Sequence, residues 1–292
     1  MCREALRVLV TGGTGSIGGA LIEVLKARGH RVTCLARSRE SELQLRKSGF
    51  STIHGDITDP YQWLDSVADF DAVVPVATTW ADDMVSVDEQ LTNLLIEKLE
   101  TPNAEKILIY TSGCWVYGQT GDHIAIETTA HCSSLEWGSD LSKAVVSNKH
   151  IQGMVILPAM VYERDGGVLD PMISDATELK KIRLVGSEET RWPMVHRYDL
   201  AVLYALMLER GQQGAVYNGA STAGVQVGDI ARVLSRRFQL QQLPEVIPVD
   251  EAVATMGSWA SGYSIDQQMS GQKAMRELGW APEYADILAE LE

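Results

Sequence analysis

The chain has 292 residues and a net charge of −14, and 45% of its residues are hydrophobic. This balance is typical of an ordinary globular protein, and the negative charge argues against binding nucleic acid or anionic lipid through bulk electrostatics. The four cysteines form no CxxC pair and show no zinc-site spacing, so we expect reduced thiols, a cytoplasmic protein and no metal site.

The first residues contain no pattern of a signal peptide, and no apolar run reaches the ~18–20 residues that cross a bilayer. We therefore expect a small-molecule substrate as the partner, with neither a membrane nor a nucleic acid involved. A homodimer is compatible with the sequence.

The first 35 residues predict a strand, a glycine-rich turn, a helix and a second strand. Residues 6–10 form a short apolar run that ends at Thr11 and the glycines, which is typical of a buried strand. Apolar residues then recur at helical spacing until Gly29, and residues 31–35 predict the second strand.

The same alternation continues to residue 157. Further strands are predicted at 52–54, 72–77, 106–110 and 154–157, and helices at 84–99 and from Asp59–Pro60 onward. Strands that alternate with helices imply parallel βαβ units. The predicted fold class is α/β, a Rossmann doubly wound parallel sheet with a small C-terminal substrate-binding subdomain.

After Pro158 the pattern becomes less regular. It predicts a strong helix at 199–208 and short strands at 183–185 and 215–217. Further helices are expected at 170–179, 250–256, 268–278 and 284–291.

Residues 12–18, which we call the glycine loop, read Gly-Gly-Thr-Gly-Ser-Ile-Gly between the first strand and helix. Glycines at this spacing permit a tight turn, a close approach to a pyrophosphate and close packing of the helix, whose free N–H groups favour phosphate. A plain glycine-rich turn is the alternative. The surrounding strands favour a dinucleotide loop, with cofactor contacts from Gly12, Thr14, Gly15, Ser16 and Ile17.

Arg37 and Ser38 follow the second strand, where NAD-binding proteins place an acidic residue. A guanidinium suits a 2′-phosphate, so Arg37 predicts NADP (NADPH) as the cofactor, although a solvated loop arginine is the alternative. Asp56, followed by Ile57, is expected to bind the adenine amino group or to cap a turn. We expect residues 1–157 to form an NADP-binding Rossmann domain. Residues 158–292 are expected to form mainly a substrate-binding cap, with 196–220 returning to the Rossmann core.

Further motifs extend this pattern over nearly the whole chain. They are VTGGTGSIG at 10–18, GDI at 55–57, YTSGCWVYG at 110–118, LPAMVY at 157–162, WPMVHRYDLA at 192–201 and RELGWAP at 276–282. With these motifs, the chain resembles an extended short-chain dehydrogenase/reductase of the NAD-dependent epimerase/dehydratase family. The resemblance implies a catalytic Ser or Thr and a Tyr and Lys spaced as YxxxK. Additional cofactor contacts are expected from Ala77, Thr78, Thr111, Lys143 and Pro158.

The catalytic positions depart from that pattern. The Ser/Thr position holds Gly113, beside Ser112, and the nearest match to YxxxK is Ser139-xxx-Lys143. We therefore predict an atypical branch that lacks the usual Tyr, with Lys143, Ser112 and Ser139 as catalytic candidates. Lys143 is expected to hold the nicotinamide ribose or to donate a proton, although a surface helix lysine is an equal alternative.

Several other candidate residues are expected near the pocket. His131 is a candidate proton donor or an exposed loop residue, and Tyr117 and His196 fit structural roles better. Cys114 as a nucleophile would need an electropositive setting. Apolar residues suggest a hydrophobic substrate, although core packing explains any one of them. The expected substrate contacts are Trp80, Gly113, Cys114, Trp115, Met160 and Trp192, with Met172 nearby.

Three functions are compatible with these residues. The first is an NADP(H)-dependent reductase or dehydrogenase acting on a small, mostly apolar carbonyl or imine, since an imine can arrive already protonated. The second is a cyclase, isomerase or dehydratase that keeps NADP as a scaffold. The third is a regulatory protein that senses NADP(H).

Overall fold

The computed structural model describes residues 5–132 and 138–292. The strands in chain order are β1 (Arg7–Thr11), β2 (Arg31–Ala36), β3 (Ser51–His54), β4 (Ala72–Pro75), β5 (Ile107–Thr111), β6 (Gln152–Pro158), β7 (Met160–Glu163), β8 (Gly166–Gly167), β9 (Arg183–Val185), β10 (Arg191–His196), β11 (Val216–Gly219), β12 (Thr222–Gln226) and β13 (Glu245–Ile247). The helices are α1 (Ser16–Ala27), α2 (Arg39–Lys47), α3 (Met84–Leu99), α4 (Ser139–Ser147), α5 (Asp170–Ser174), α6 (Arg197–Arg210), α7 (Val227–Arg237), α8 (Val249–Met256), α9 (Gln272–Leu278) and α10 (Ile287–Leu291).

The central sheet has seven parallel strands in the order β11-β6-β5-β4-β1-β2-β3. The middle of strand β1 is apolar, and its residues Val8, Leu9 and Val10 are fully buried between the helical layers. The strand order reverses between β1 and β4, and open α/β sheets bind their ligands at such a point, outside the carboxyl ends of the strands. The predicted Rossmann doubly wound fold is confirmed.

All seven strands end on one side of this sheet, which we call the carboxyl edge. The glycine loop follows β1 there, and Ser112 follows β5. Helix α4 connects β5 to the neighbouring parallel strand β6, so it must run back across the sheet and begin at the carboxyl edge. The topology therefore places Ser139, the first residue of α4, at the same edge as Ser112.

A buried aspartate ties the C-terminal segment to α6. The Asp199 carboxylate, 1% exposed, accepts hydrogen bonds from the backbone N–H groups of Glu283 (2.8 Å) and Tyr284 (2.9 Å). The indole of Trp280 donates to the Asp199 carbonyl oxygen at 2.8 Å. Helix α6 in turn packs along α1, while β11 pairs with β6.

A second sheet, in the order β12-β10-β7-β8, lies in the C-terminal part, with a short β13-β9 pair beside it. The sequence pattern did not predict β7, β10, β12 or α7. The expected helix at 170–179 ends as α5 at Ser174 and continues as a wider π-turn, Asp175–Leu179. The Asp175 carboxylate in this turn accepts hydrogen bonds from the Arg183 backbone and guanidinium, at 3.1 and 2.7 Å.

Within residues 5–132 and 138–292, no helix combines the length and the apolar character that crossing a membrane requires.

Candidate active site

The glycine loop is shaped by contacts that leave no room for side chains. Gly12 has a φ of +71°, and a Cβ there would lie 2.9 Å from the backbone nitrogen of Ala77. A Cβ on Gly18 would overlap the carbonyl oxygen of Gly12. Thr11 Oγ1 accepts hydrogen bonds from the N–H groups of Val76 (3.2 Å) and Ala77 (3.1 Å), which holds the loop after β4 against the glycine loop.

This loop can hold an anionic group. Thr14 and Gly15 are exposed, α1 begins immediately afterwards, and its first turn contains no acidic residue. The unpaired N–H groups and the dipole of a helix start attract phosphate. The glycines and the helix start therefore fit the pyrophosphate of a dinucleotide.

The helix start also carries an acidic contact that the sequence analysis missed. Ser16 Oγ donates to Glu163 Oε1 at 3.1 Å, and Arg197 Nη1 lies 2.8 Å from Glu163 Oε2. Glu163 ends β7 and Arg197 begins α6, so the contact forms only when both elements pack beside α1. No local pattern around Glu163 predicted it.

The predicted ribose and adenine positions lie where β2 and β3 end. The Arg37 side chain is 76% exposed, with its Nε 3.9 Å from Asp56 Oδ2, and is thus available to a ligand. Ser38 starts α2 through a reciprocal pair of bonds with Ser41. Asp56 Oδ1 accepts the Thr58 N–H at 2.9 Å, which is the turn-capping alternative raised for Asp56. Ile57 is half-buried against the core.

Three predicted serine and glycine positions lie at the carboxyl edge. Ser112 is 5% exposed, and its hydroxyl has no hydrogen-bond partner among the described residues. A Cβ on the neighbouring Gly113 would meet no atom within 4 Å, so this position borders open space. Ser139 Oγ lies 2.9 Å from His131 Nδ1. The structure thus joins two residues that the sequence analysis had considered separately.

Lys143 follows Ser139 by one helical turn, but its ammonium points to solvent. The side chain is 73% exposed, and Nζ lies 2.8 Å from Asp140 Oδ1. The lysine holds the pKa of the Asp140 carboxyl below its ordinary value through this hydrogen bond. Contact with a nicotinamide ribose would require this exposed ion pair to open.

Several buried tyrosine hydroxyls are committed to structural bonds. Tyr117 donates to Asn218 Oδ1 at 2.8 Å, and Tyr110 donates to Asp88 Oδ2 at 2.6 Å. Thr111, an expected cofactor contact, shares a 2.7 Å bond with the Tyr204 hydroxyl. Burial raises the pKa of all three tyrosines. None of these phenols is arranged to act as an acid.

Aromatic side chains from distant parts of the chain meet in one group, which we call the aromatic cluster. Tyr263 is its centre, with ring centroids 5.4 Å from Trp192, 5.6 Å from Trp259 and 6.2 Å from Trp115. Trp80 extends the cluster at 5.8 Å from Trp259 and is 60% exposed. Trp80, Trp115 and Trp192 were predicted from the sequence, whereas Trp259 and Tyr263 lie in a C-terminal segment without a recognisable motif.

Other predicted positions are enclosed. Cys114 is 4% exposed, and burial raises the pKa of its thiol to about 12, which rules out a thiolate nucleophile near neutral pH. Met160 is buried opposite Met194, where β7 pairs with β10, and Met172 is buried in α5. Pro158 ends β6 at the carboxyl edge, and Thr78 is exposed after β4.

No group of three or more His, Cys, Asp or Glu side chains is arranged for a metal ion in the described part of the chain.

Known proteins share both the motifs and this architecture. The NAD dependent epimerase/dehydratase family model matches residues 8–220. An uncharacterized protein of Saccharomyces cerevisiae is 26% identical over 98% of this chain and 98% of its own length. The UDP-glucose 4-epimerase of Corynebacterium glutamicum is 23% identical over 97% of this chain and 92% of its own length.

Solved structures agree on the fold. The dTDP-glucose 4,6-dehydratase DesIV of Streptomyces venezuelae, solved with NAD, has a TM-score of 0.81 and 19% identity, covering 98% of this chain and 94% of that one. Human epimerase family protein SDR39U1, solved with NADPH, has a TM-score of 0.77 and 22% identity, covering 98% and 97%. The family match extends from β1 to β11, and the chain belongs to the NAD-dependent epimerase/dehydratase family.

Proposed function

We propose that this protein is an NADP(H)-dependent oxidoreductase that reduces a small, mostly apolar carbonyl or imine. The observation that carries the proposal is the aromatic cluster, part of which lies at the same carboxyl edge as the glycine loop. Trp80 follows β4 and Trp115 follows β5, so both lie at the carboxyl edge that holds the loop. An apolar substrate placed there would lie next to a dinucleotide.

The cofactor assignment is supported by two parts of the structure. The glycine loop and the start of α1 fit a pyrophosphate, and the exposed Arg37 guanidinium suits a 2′-phosphate. The human family member SDR39U1 was solved with NADPH. When bound, the dinucleotide supplies a hydride from its nicotinamide ring.

We infer that different parts of the chain bind the cofactor and the substrate. Residues 1–157 would bind the NADP, and residues 158–292 would mainly form the substrate cap, with 196–220 returning to the Rossmann core. The cap contributes Trp192, Trp259 and Tyr263 to the aromatic cluster. The aromatic side chains supply a large apolar contact area for such a substrate.

The experiment is a reduction assay with purified protein and NADPH. A panel of apolar aldehydes, ketones and cyclic imines is compared with nucleotide sugars, and the oxidation of NADPH and the reduced product are both measured. We expect turnover with apolar members of the panel. An isomerised or dehydrated product without net NADPH consumption, or no turnover of any carbonyl or imine, would refute the proposed reduction.

A further inference from the structure

We propose that Ser139 is the proton donor of this site and that His131 supplies its proton, so that the two residues form a relay at the carboxyl edge. The inference rests on the proposed reduction and names the acid that the reduction of a carbonyl needs. Ser139 would be the catalytic residue, and His131 would act through it.

The first observation is the geometry of the pair. His131 Nδ1 and Ser139 Oγ lie 2.9 Å apart, which is the distance of a hydrogen bond. The imidazole is oriented by an edge-on contact with the Tyr117 ring, with centroids 5.6 Å apart at 82°. Tyr117 is itself fixed by its bond to Asn218. The Tyr117 ring and the Ser139 hydroxyl therefore both contact the imidazole and orient it.

The second observation is its surroundings. Ser139 is 8% exposed at the start of α4. The buried Ser112 hydroxyl, at the same edge, has no partner among the described residues, and Gly113 borders open space. A buried hydroxyl without a partner is costly, and a substrate oxygen would provide one. We infer that this oxygen lies between Ser112 and Ser139.

The chemistry explains why both residues are needed. A serine hydroxyl alone is too weak an acid to protonate a substrate near neutral pH, whereas a histidine ordinarily titrates near pKa ~6.5. During reduction the Ser139 O–H bond breaks as the substrate O–H bond forms. The His131 Nδ1–H bond breaks in turn to restore the Ser139 hydroxyl. His131 changes from imidazolium to neutral imidazole and recovers its proton from solvent, since it is only half-buried.

Three described titratable groups lie around His131. Tyr117 faces its ring, Cys132 follows it and donates to the Tyr117 carbonyl oxygen at 3.0 Å, and Glu127 accepts the Asn218 N–H at 3.0 Å. Asp140 and Lys143, on the same helix as Ser139, pair with each other.

Tyr263 is the competing donor, because it lies in the aromatic cluster. Burial raises the pKa of its phenol to about 12, which makes it a poor acid near neutral pH. A Tyr263→Phe variant tests it directly and keeps the ring that packs on Trp192.

The first test measures kcat, KM and the affinity for NADPH in variants of the pair. His131→Gln and Ser139→Ala should each lower kcat about 100-fold and leave NADPH affinity unchanged, and Ser139→Thr should restore most of the rate. The matched control is His150→Gln, at an exposed position in the turn between α4 and β6. The part of the kcat–pH profile that reflects titration of a histidine should disappear in His131→Gln and remain in His150→Gln.

The second test does not depend on activity. In protein labelled with ¹⁵N-histidine, the His131 signal is identified among the six histidines by its loss in His131→Gln. Ser139→Ala should move the titration midpoint of that signal. An unchanged midpoint would show that the two groups share no proton and would overturn the relay.

The remaining outcomes are equally decisive. If the wild-type protein reduces carbonyls and both His131→Gln and Ser139→Ala do so at the wild-type rate, the relay is wrong and the proposed reduction stands. Loss of rate only in Tyr263→Phe assigns the acid to Tyr263 and also overturns the relay. Covalent labelling of Ser139 by a fluorophosphonate would identify a nucleophile instead. Absence of any carbonyl or imine reduction refutes the proposed function and the relay with it.

Discussion

Ser16 Oγ donates a hydrogen bond to Glu163 Oε1 at 3.1 Å, which holds a carboxylate against the helix start that follows the glycine loop. A negative charge at this place opposes the binding of phosphate groups. Arg197, 2.8 Å from the other carboxylate oxygen, compensates for it. The ion pair therefore adjusts the potential at the point where a pyrophosphate would bind.

Changing this ion pair should alter dinucleotide affinity in opposite directions. Glu163→Gln removes the negative charge and should tighten NADP binding about 3- to 10-fold, whereas Arg197→Gln should weaken it by a similar factor. Calorimetric titration at low and high salt measures both, and the differences should shrink with salt. Glu97→Gln, at an exposed position of α3, is the control. Equal affinities in all four proteins would contradict the prediction.

Two adjacent glycines of α1 should respond differently to alanine. A Cβ on Gly18 would overlap the Gly12 carbonyl oxygen, whereas one on Gly19 would lie 3.7 Å from its nearest neighbour, the Gly13 oxygen. Gly18→Ala should therefore distort the loop and weaken NADP binding at least about tenfold. Gly19→Ala should keep the affinity and raise the free energy of unfolding by up to ~1 kcal/mol. Titration and urea unfolding check this, and a Gly18→Ala protein with normal affinity would contradict it.

Arg37 should determine the preference for NADP over NAD. Arg37→Asp removes a charged hydrogen-bond donor to the 2′-phosphate, a contact worth about 1.5–3 kcal/mol, and should lower the NADP/NAD affinity ratio at least about tenfold. Arg31→Asp, which makes the same change in charge at the opposite end of β2, is the control. If the ratio stays unchanged in Arg37→Asp, the NADP assignment is wrong.

Asp140 and a nicotinamide ribose would compete for the Lys143 ammonium. The lysine lies one turn from Ser139, on the same side of α4, so it can turn toward a nicotinamide ribose once its exposed ion pair opens. Lys143→Met should weaken NADP binding about tenfold. Asp140→Asn should leave it unchanged or tighten it, because it removes a carboxylate that competes for the ammonium. Weaker binding in Asp140→Asn alone would assign the ion pair a purely structural role.

Asp88 should give the unfolding free energy a distinctive pH dependence. Burial raises the pKa of this carboxyl, although the hydrogen bond from Tyr110 partly opposes the shift. The native state therefore holds a proton that the unfolded chain releases near pH ~3.9. The free energy of unfolding should fall as pH rises from that value through the raised pKa, and Asp88→Asn should remove this decrease. Urea unfolding at a series of pH values measures it, with the exposed Asp82→Asn as control; parallel profiles for Asp88→Asn and wild type would contradict it.

Local sequence patterns sufficed for much of the nucleotide half. The strands at 52–54 and 154–157 were predicted within two residues of β3 and β6, and the helix at 84–99 coincides with α3. These elements are short apolar runs or helical repeats interrupted by turns, and such periodicity is readable from neighbouring residues. The second sheet was missed because β7 pairs with β10, far along the chain, and nothing near either strand records its partner.

In the candidate site as well, some features could be predicted from local sequence and others depend on the tertiary structure. The roles proposed for the glycine loop and Arg37 came directly from the sequence, because they depend on backbone freedom and charge at fixed distances from β1 and β2. The pairing of Ser139 with His131, the contact between Ser16 and Glu163, and the place of Tyr263 among the tryptophans arise when α4, β7 and the C-terminal segment return to the carboxyl edge. Contacts between side chains that are distant in sequence form only after the segments that connect the strands have packed against the sheet. The loop thus indicated where a dinucleotide would bind, and the folded chain paired two candidates, Ser139 and His131, that the sequence had offered separately.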